Sequence, residues 1–270
     1  MEKIVHHQGK RVFYRKDGEG PPVLLVHGFG ETGSIWNHQV EHLKKQFTLL
    51  IPDLPGSGES EHTGDLSMEG MAEVMGRILD QEEMQIGAMI GHSMGGYVML
   101  AFAEKYPGRL NAFGLFHSTA FADSEEKKAS RRKSIEFIRA HGAAAFLETA
   151  VPGLFAEDSR LKMADVISGL VKSGASFSPE ALSGYYEAMM QRPDRTDVLK
   201  KAHVPVLFVM GKYDTAVPLA DGLKQCYLPG KSYIHVLQSS GHMGMLEEME
   251  HSNKLLENFL VENLIHQSRP

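Results

Sequence analysis

This sequence predicts an α/β protein with a mainly parallel central sheet, helices on both faces and an inserted helical segment. Three observations carry that expectation. Short apolar runs of strand length alternate with stretches that keep helical spacing, the pattern of strands buried between covering helices. One such run enters Gly91-His92-Ser93-Met94-Gly95-Gly96 and leaves it as a helix. From 118 to 203 the alternation stops, and charged helical stretches replace it.

Taken in order, residues 3–7 and 11–15 flank Gln8-Gly9-Lys10, so a hairpin starts the sheet. Residues 23–26 and 47–51 are the next strands, separated by an amphipathic segment holding Trp36, Val40 and Leu43. Met68, Met71, Ala72, Met75, Ile78 and Leu79 keep helical spacing, and Ser67 in front of them is the N-cap, its hydroxyl free to accept from a first-turn amide. Residues 85–90 form a buried strand; Tyr97, Val98, Leu100, Ala101 and Phe102 then fit a helix that stops at Tyr106-Pro107-Gly108. Residues 110–116, 204–210 and 233–237 supply later strands, and 246–260 a closing helix. Within the interruption, 124–141, 143–150 and 161–171 read as helices. A further helix starts at Ser178-Pro179-Glu180, since proline suits the first helical position. The expected organisation is a core of residues 1–117 and 204–270 with a helical cap, 118–203.

The strand-turn-helix around Ser93 is a nucleophile elbow. A serine on so sharp a turn leaves no room for a Cβ two residues away on either side, and Gly91 and Gly95 meet that need. The helix that follows aims its N-terminal amides at any oxyanion formed there, with Met94 N–H as one donor. The chemistry implied is acyl transfer. Asp214 and His242 each follow an apolar strand, placing them on loops at strand carboxyl ends. There His242 can take the Ser93 proton while ionised Asp214 orients the ring. Asp123, just past the strand at 110–116, is a rival acid.

Composition narrows the rest. With 270 residues and 42% hydrophobic content, the chain can bury one large core and carry an insertion. A formal charge of −6 gives no basic footprint for nucleic acid, and Arg131-Arg132-Lys133 reads as the wet face of a helix. The single cysteine, Cys226, has no internal partner and lacks an elbow. There is no signal-peptide-like start and no apolar run of membrane-spanning length, so a cytoplasmic enzyme acting on a small molecule is expected, with no membrane partner. No metal or cofactor is expected: H-E-x-x-H, paired Cys/His spacing and G-x-x-x-x-G-K-[ST] are all missing from the sequence. Met94 and Met243 flank the catalytic candidates and are expected to line the pocket, while His92 is read as packing beneath the elbow.

Four blocks together resemble the α/β-hydrolase superfamily over nearly the whole chain: His27-Gly28-Phe29-Gly30, the run from Asp53 to Ser60, the elbow, and Gly211-Lys212-Tyr213-Asp214 with Ser240-Gly241-His242. The likeness is greatest to small capped esterases, lactonases and cofactor-free haloperoxidase-like members, with carbon–carbon bond hydrolases further off. It implies an α/β-hydrolase fold, the chain order Ser93, Asp214, His242 for a catalytic triad, and Asp214 over Asp123 as the acid. It further implies Phe29 N–H as the second oxyanion donor, a loop-buttressing role for His27 and a packing role for Trp36. The activity implied is hydrolysis of a small carboxylic ester, thioester or lactone. The same constellation serves carbon–carbon bond hydrolysis, acyl transfer to another acceptor, or a ligand receptor with residual turnover.

Overall fold

The computed structural model describes residues 1–174 and 176–265. Residue 175 of the expected cap and residues 266–270 of the expected core therefore lie outside the described residues. The sheet is built from β1 (Glu2–His7), β2 (Lys10–Asp17), β3 (Pro22–Val26), β4 (Thr48–Pro52), β5 (Gly87–His92), β6 (Leu110–Phe116), β7 (Val206–Gly211) and β8 (Ser232–Leu237). Their spatial order is β1-β2-β4-β3-β5-β6-β7-β8, with β1 and β2 antiparallel to their neighbours and the rest parallel. The opening hairpin turns through Gln8 and Gly9, both at positive φ, which matches the twist of the flanking strands.

Parallel strands need crossovers, and the helices supply them. Along the chain come α1 (Asn37–Leu43), α2 (Met68–Gln81), α3 (Met94–Lys105), α4 (Glu125–Ala150), α5 (Glu157–Lys162), α6 (Ala164–Gly174), α7 (Pro179–Gln191), α8 (Thr196–Lys200), α9 (Leu219–Leu223), α10 (Gly244–Glu247) and α11 (Met249–Leu260). The central strands β4, β5 and β7 are buried along their length. Trp36, Val40 and Leu43 pack into the same core. Ser67 caps α2 by accepting from Gly70 N–H, and Ser178 caps α7 by accepting from Ala181 N–H.

Three elements differ in detail from expectation. The helix expected at 161–171 is broken at Met163 into the end of α5 and α6. Gly142, at φ 88°, breaks α4 into the two helices its sequence suggests, although the segments run on without a loop. The single closing helix is instead interrupted at Glu248, between α10 and α11. There the Glu247 and Glu248 carboxylates turn back to accept main-chain N–H groups of Gly241, Met243 and Ser239, holding the loop before the helix. Between β6 and β7 the chain is helical, as α4 to α8, and α4 packs on α7.

Candidate active site

Ser93 sits between β5 and α3 with φ 51° and ψ −117°, a conformation a serine keeps only under constraint. The constraint is steric. A Cβ on Gly91 would lie 2.3 Å from the Gly95 carbonyl oxygen, and one on Gly95 would lie 2.4 Å from the Val26 oxygen. Hydrogen bonds then fix the turn: Ser93 N–H donates to Phe116 O at 3.0 Å, and Ser118 Oγ donates to Ser93 O at 2.7 Å.

Asp214 lies in the turn after β7. Its Oδ1 accepts from the amides of Ala216 and Val217 at 2.9 and 2.8 Å. Its Oδ2 accepts from His242 Nδ1 at 2.8 Å and from His117 Nδ1 at 3.1 Å. Burial alone would raise this carboxyl, but the two histidines outweigh it and hold it well below the usual carboxylate range. With a carboxylate facing Nδ1, the His242 proton sits on that nitrogen, leaving Nε2 as a base. The His242 main chain is held on three sides. Its N–H donates to Leu154 O at 2.7 Å, its carbonyl faces His92 Nε2 at 3.0 Å, and the neighbouring Gly241 and Met243 amides donate to Glu247 Oε2.

Ser93 and His242 line one cavity of about 280 Å³, together with Phe29, Leu154, Tyr186 and Met189. Among the described residues no hydrogen bond joins the Ser93 hydroxyl to the His242 ring; the cavity brings the two groups together. Phe29 stacks on Tyr186 with ring centroids 4.2 Å apart. Among the described residues, no protein acceptor takes the Phe29 or Met94 amide. Met94 and Met243 do not line the cavity and are buried beside it, correcting the expectation for both. A larger open groove of about 560 Å³ beside α7 is lined by His62, Asp65 and Glu187, away from Ser93.

The rival acid has other partners. Asp123 is buried against Arg131 Nε at 2.6 Å and Arg192 Nη1 at 2.9 Å, and among the described residues it meets no histidine. Arg131 thereby departs from the wet-face reading: Arg132 and Lys133 are exposed, but Arg131 turns inward to Asp123 and lines the cavity. His27 ties two of the sequence blocks together. Its Nδ1–H donates to Gly28 O at 2.8 Å and its Nε2 accepts from Leu54 N–H at 2.9 Å, a neutral tautomer that burial favours.

Three participants escaped sequence reasoning. His117 directly follows β6, at φ 49°; burial foremost pushes it down to about 4 despite Asp214, so it is a neutral donor, and among the described residues its Nε2 has no partner. Its signal was available, since it is titratable and follows the carboxyl end of an apolar strand, as Asp214 does. His92 is more than packing, because both ring nitrogens face acceptors: Glu31 Oε2 at 2.9 Å and the His242 carbonyl. A carboxylate and a carbonyl oxygen can only accept, so His92 carries a proton on each nitrogen as an imidazolium; burial works against that charge, and Glu31 favours it, raising His92 above the ordinary histidine value. Glu31, conversely, is lowered by His92 and by the Gly28 amide against its own burial. No pattern in the sequence marks Glu31 as its partner. His117, Asp214 and His242 offer ligand atoms within 4.8 Å of one another, but both Nδ1 atoms already donate to one carboxylate oxygen, which explains the cluster without a metal.

A family model described as the alpha/beta hydrolase fold matches residues 21–122. The solved structure of a thermophilic esterase from Thermogutta terrifontis, with malate bound, is 30% identical, covers 98% of this chain and 99% of its own, and superposes with a TM-score of 0.92. The pimeloyl-[acyl-carrier protein] methyl ester esterase of Methylococcus capsulatus is 26% identical over 93% of this chain and 98% of its own length. An uncharacterized protein of Mycobacterium tuberculosis is 36% identical over 39% of this chain, a match that spans 30% of that protein's length.

Proposed function

The chain belongs to the α/β-hydrolase superfamily, and from that premise we propose that it is a serine hydrolase of small carboxylic esters, thioesters or lactones. The observation that carries this reading is the strained Ser93 turn sharing a cavity with His242, whose far ring nitrogen donates to buried Asp214. In this reading His242 Nε2 takes the Ser93 proton as Oγ attacks the acyl carbon. Asp214 holds the ring tautomer and stabilises the imidazolium that forms. The unused amides of Phe29 and Met94 receive the oxyanion. His242 then protonates the leaving group, and water, activated by the same nitrogen, cleaves the acyl-enzyme.

Residues 118–203 act as a cap in this scheme, since Leu154, Tyr186 and Met189 line the cavity while Ser93, Asp214 and His242 lie outside that segment. The esterases among the relatives support ester hydrolysis as the reaction. The test is direct. Ser93→Ala and His242→Ala should each lower ester turnover by several decades and by similar amounts, because the two groups act as a unit. Ser93 should be the residue labelled by a fluorophosphonate. Folded Ser93→Ala protein that retains turnover, or a label found elsewhere, would overturn the assignment.

A further inference from the structure

The cavity over Ser93 carries a charge that a neutral ester does not require. The protein has a formal charge of −6, yet the charged side chains lining this cavity are Lys127, Arg131 and Glu31. Glu31 is already matched by the His92 imidazolium. Asp123 behind the wall answers two guanidiniums, those of Arg131 and Arg192, leaving one positive charge in excess. Lys127 has no carboxylate partner among the described residues; its Nζ donates to the Ala216 carbonyl at 2.8 Å. Asp214, next to the lining residues Thr215 to Val217, is buried behind the wall and has its oxygens taken by four N–H groups. Lys127 and Arg131 lie four residues apart on α4 and so share a helix face, with Ser130 and Ser134 beside them in the lining.

We infer that this wall recognises an anion, and that the substrate is an ester bearing a free carboxylate a few atoms from the scissile carbonyl. The inference rests on the hydrolase reading of Ser93 and names the substrate class for that site. Charge-assisted hydrogen bonds from Lys127 and Arg131 would orient the acid group while the ester carbonyl sits at Ser93. A cleft of one sign also raises the encounter rate with an anionic substrate.

The experiment pairs monoethyl succinate and monoethyl glutarate with their neutral near-isosteres, ethyl 4-oxopentanoate and ethyl 5-oxohexanoate, and follows ethanol release. The unsubstituted protein should favour the acids at least tenfold in kcat/KM, and the preference should shrink as salt is raised. Lys127→Met and Arg131→Gln should each reduce the acid-to-neutral ratio about tenfold, mainly through KM. Calorimetric binding of glutarate reads the anion site without turnover and should weaken in Lys127→Met, the variant that leaves Asp123 paired. Equal or better use of the neutral esters, with no saturable glutarate binding, would overturn the inference while leaving the hydrolase reading intact. Failure of fluorophosphonate labelling with glutarate still bound would overturn the hydrolase reading alone.

Discussion

At Asp214 a single carboxylate accepts from two main-chain amides and two histidines, so replacing one oxygen by NH₂ sets a donor against a donor. Asp214→Asn should cut turnover by about three to four orders of magnitude through the wrong His242 tautomer. Asp123→Asn should act chiefly on stability, because it leaves Arg131 and Arg192 facing a neutral amide. Equal kinetic damage from the two variants, measured on folded protein, would contradict this division. The Glu31–His92 pair makes a separate prediction about pH. Glu31 is lowered from its ordinary 4.5, so its stabilisation is full above that value and fades as pH falls through the folded one. His92 is raised from 6.5, so its stabilisation is full below 6.5 and fades as pH rises through the folded one. The pair therefore contributes most between these two ordinary values. Glu31→Gln should cost about 3 kcal/mol there, the scale of a broken buried pair, and less at alkaline pH. Urea melts of both proteins across pH 5 to 9 check it, and a pH-independent gap would refute it.

At the scale of elements, the turn joining β5 to α3 depends on how closely backbone meets backbone. Gly95→Ala would drive a Cβ to 2.4 Å from Val26 O and 2.5 Å from His27 O, both main-chain atoms that cannot step aside. Gly96→Ala meets Ser118 Oγ at 2.3 Å and Ser118 Cβ at 2.5 Å, so the hydroxyl must rotate, losing its bond to Ser93 O, and the Ser118 main chain must also move outward. Gly95→Ala should therefore fail to fold or lose more than ~3 kcal/mol, above the usual range for overpacking. Gly96→Ala should fold with a loss of about 2 to 3 kcal/mol, within the range for overpacking, because its clash is with one side chain and not with two main-chain oxygens. Thermal melts give the ranking, and a reversed order would show that the turn tolerates backbone shift. The same dependence on neighbours explains the break at Glu248. Helical periodicity runs straight through it, but the Glu247 and Glu248 carboxylates are engaged by the His242 loop.

For the molecule as a whole, the proposed cap and core can be tested as separate contributors to rate and selectivity. Leu154 and Met189 line the cavity, whereas Phe137 is exposed on the outer side of α4. Leu154→Ala and Met189→Ala should change relative kcat/KM across a series of acyl lengths by about 10-fold or more, tenfold being the low end of what one methylene is worth in an apolar pocket. Phe137→Ala should leave the series unchanged, and all three should keep fluorophosphonate labelling of Ser93. A uniform loss across the series would place these residues in the rate-determining chemistry instead of selectivity. Tyr185 and Phe155, also apolar positions of this segment, act differently: Tyr185 OH donates to Pro55 O at 2.6 Å and Phe155 is buried, so both anchor the segment to the core.

Hydrophobic periodicity, caps and glycine spacing are local properties, so the sequence by itself determined the alternating strands and helices, the helical interruption and the elbow at Ser93. Strand ends are local too, which is why Asp214 and His242 were legible as loop residues. Only the tertiary structure decided what surrounds them. His117 reaches Asp214 across 97 positions, Glu31 reaches His92 across 61, and His92 reaches the His242 carbonyl across 150. Arg131 looked like a solvated helix face until Asp123, fixed at the end of the path from β6, drew it into the cavity. Such contacts depend on the strand order β3-β5-β6-β7-β8, which sets the loops side by side. Their energies come from charge pairing and desolvation between groups far apart in the chain, and one-dimensional periodicity carries no record of either.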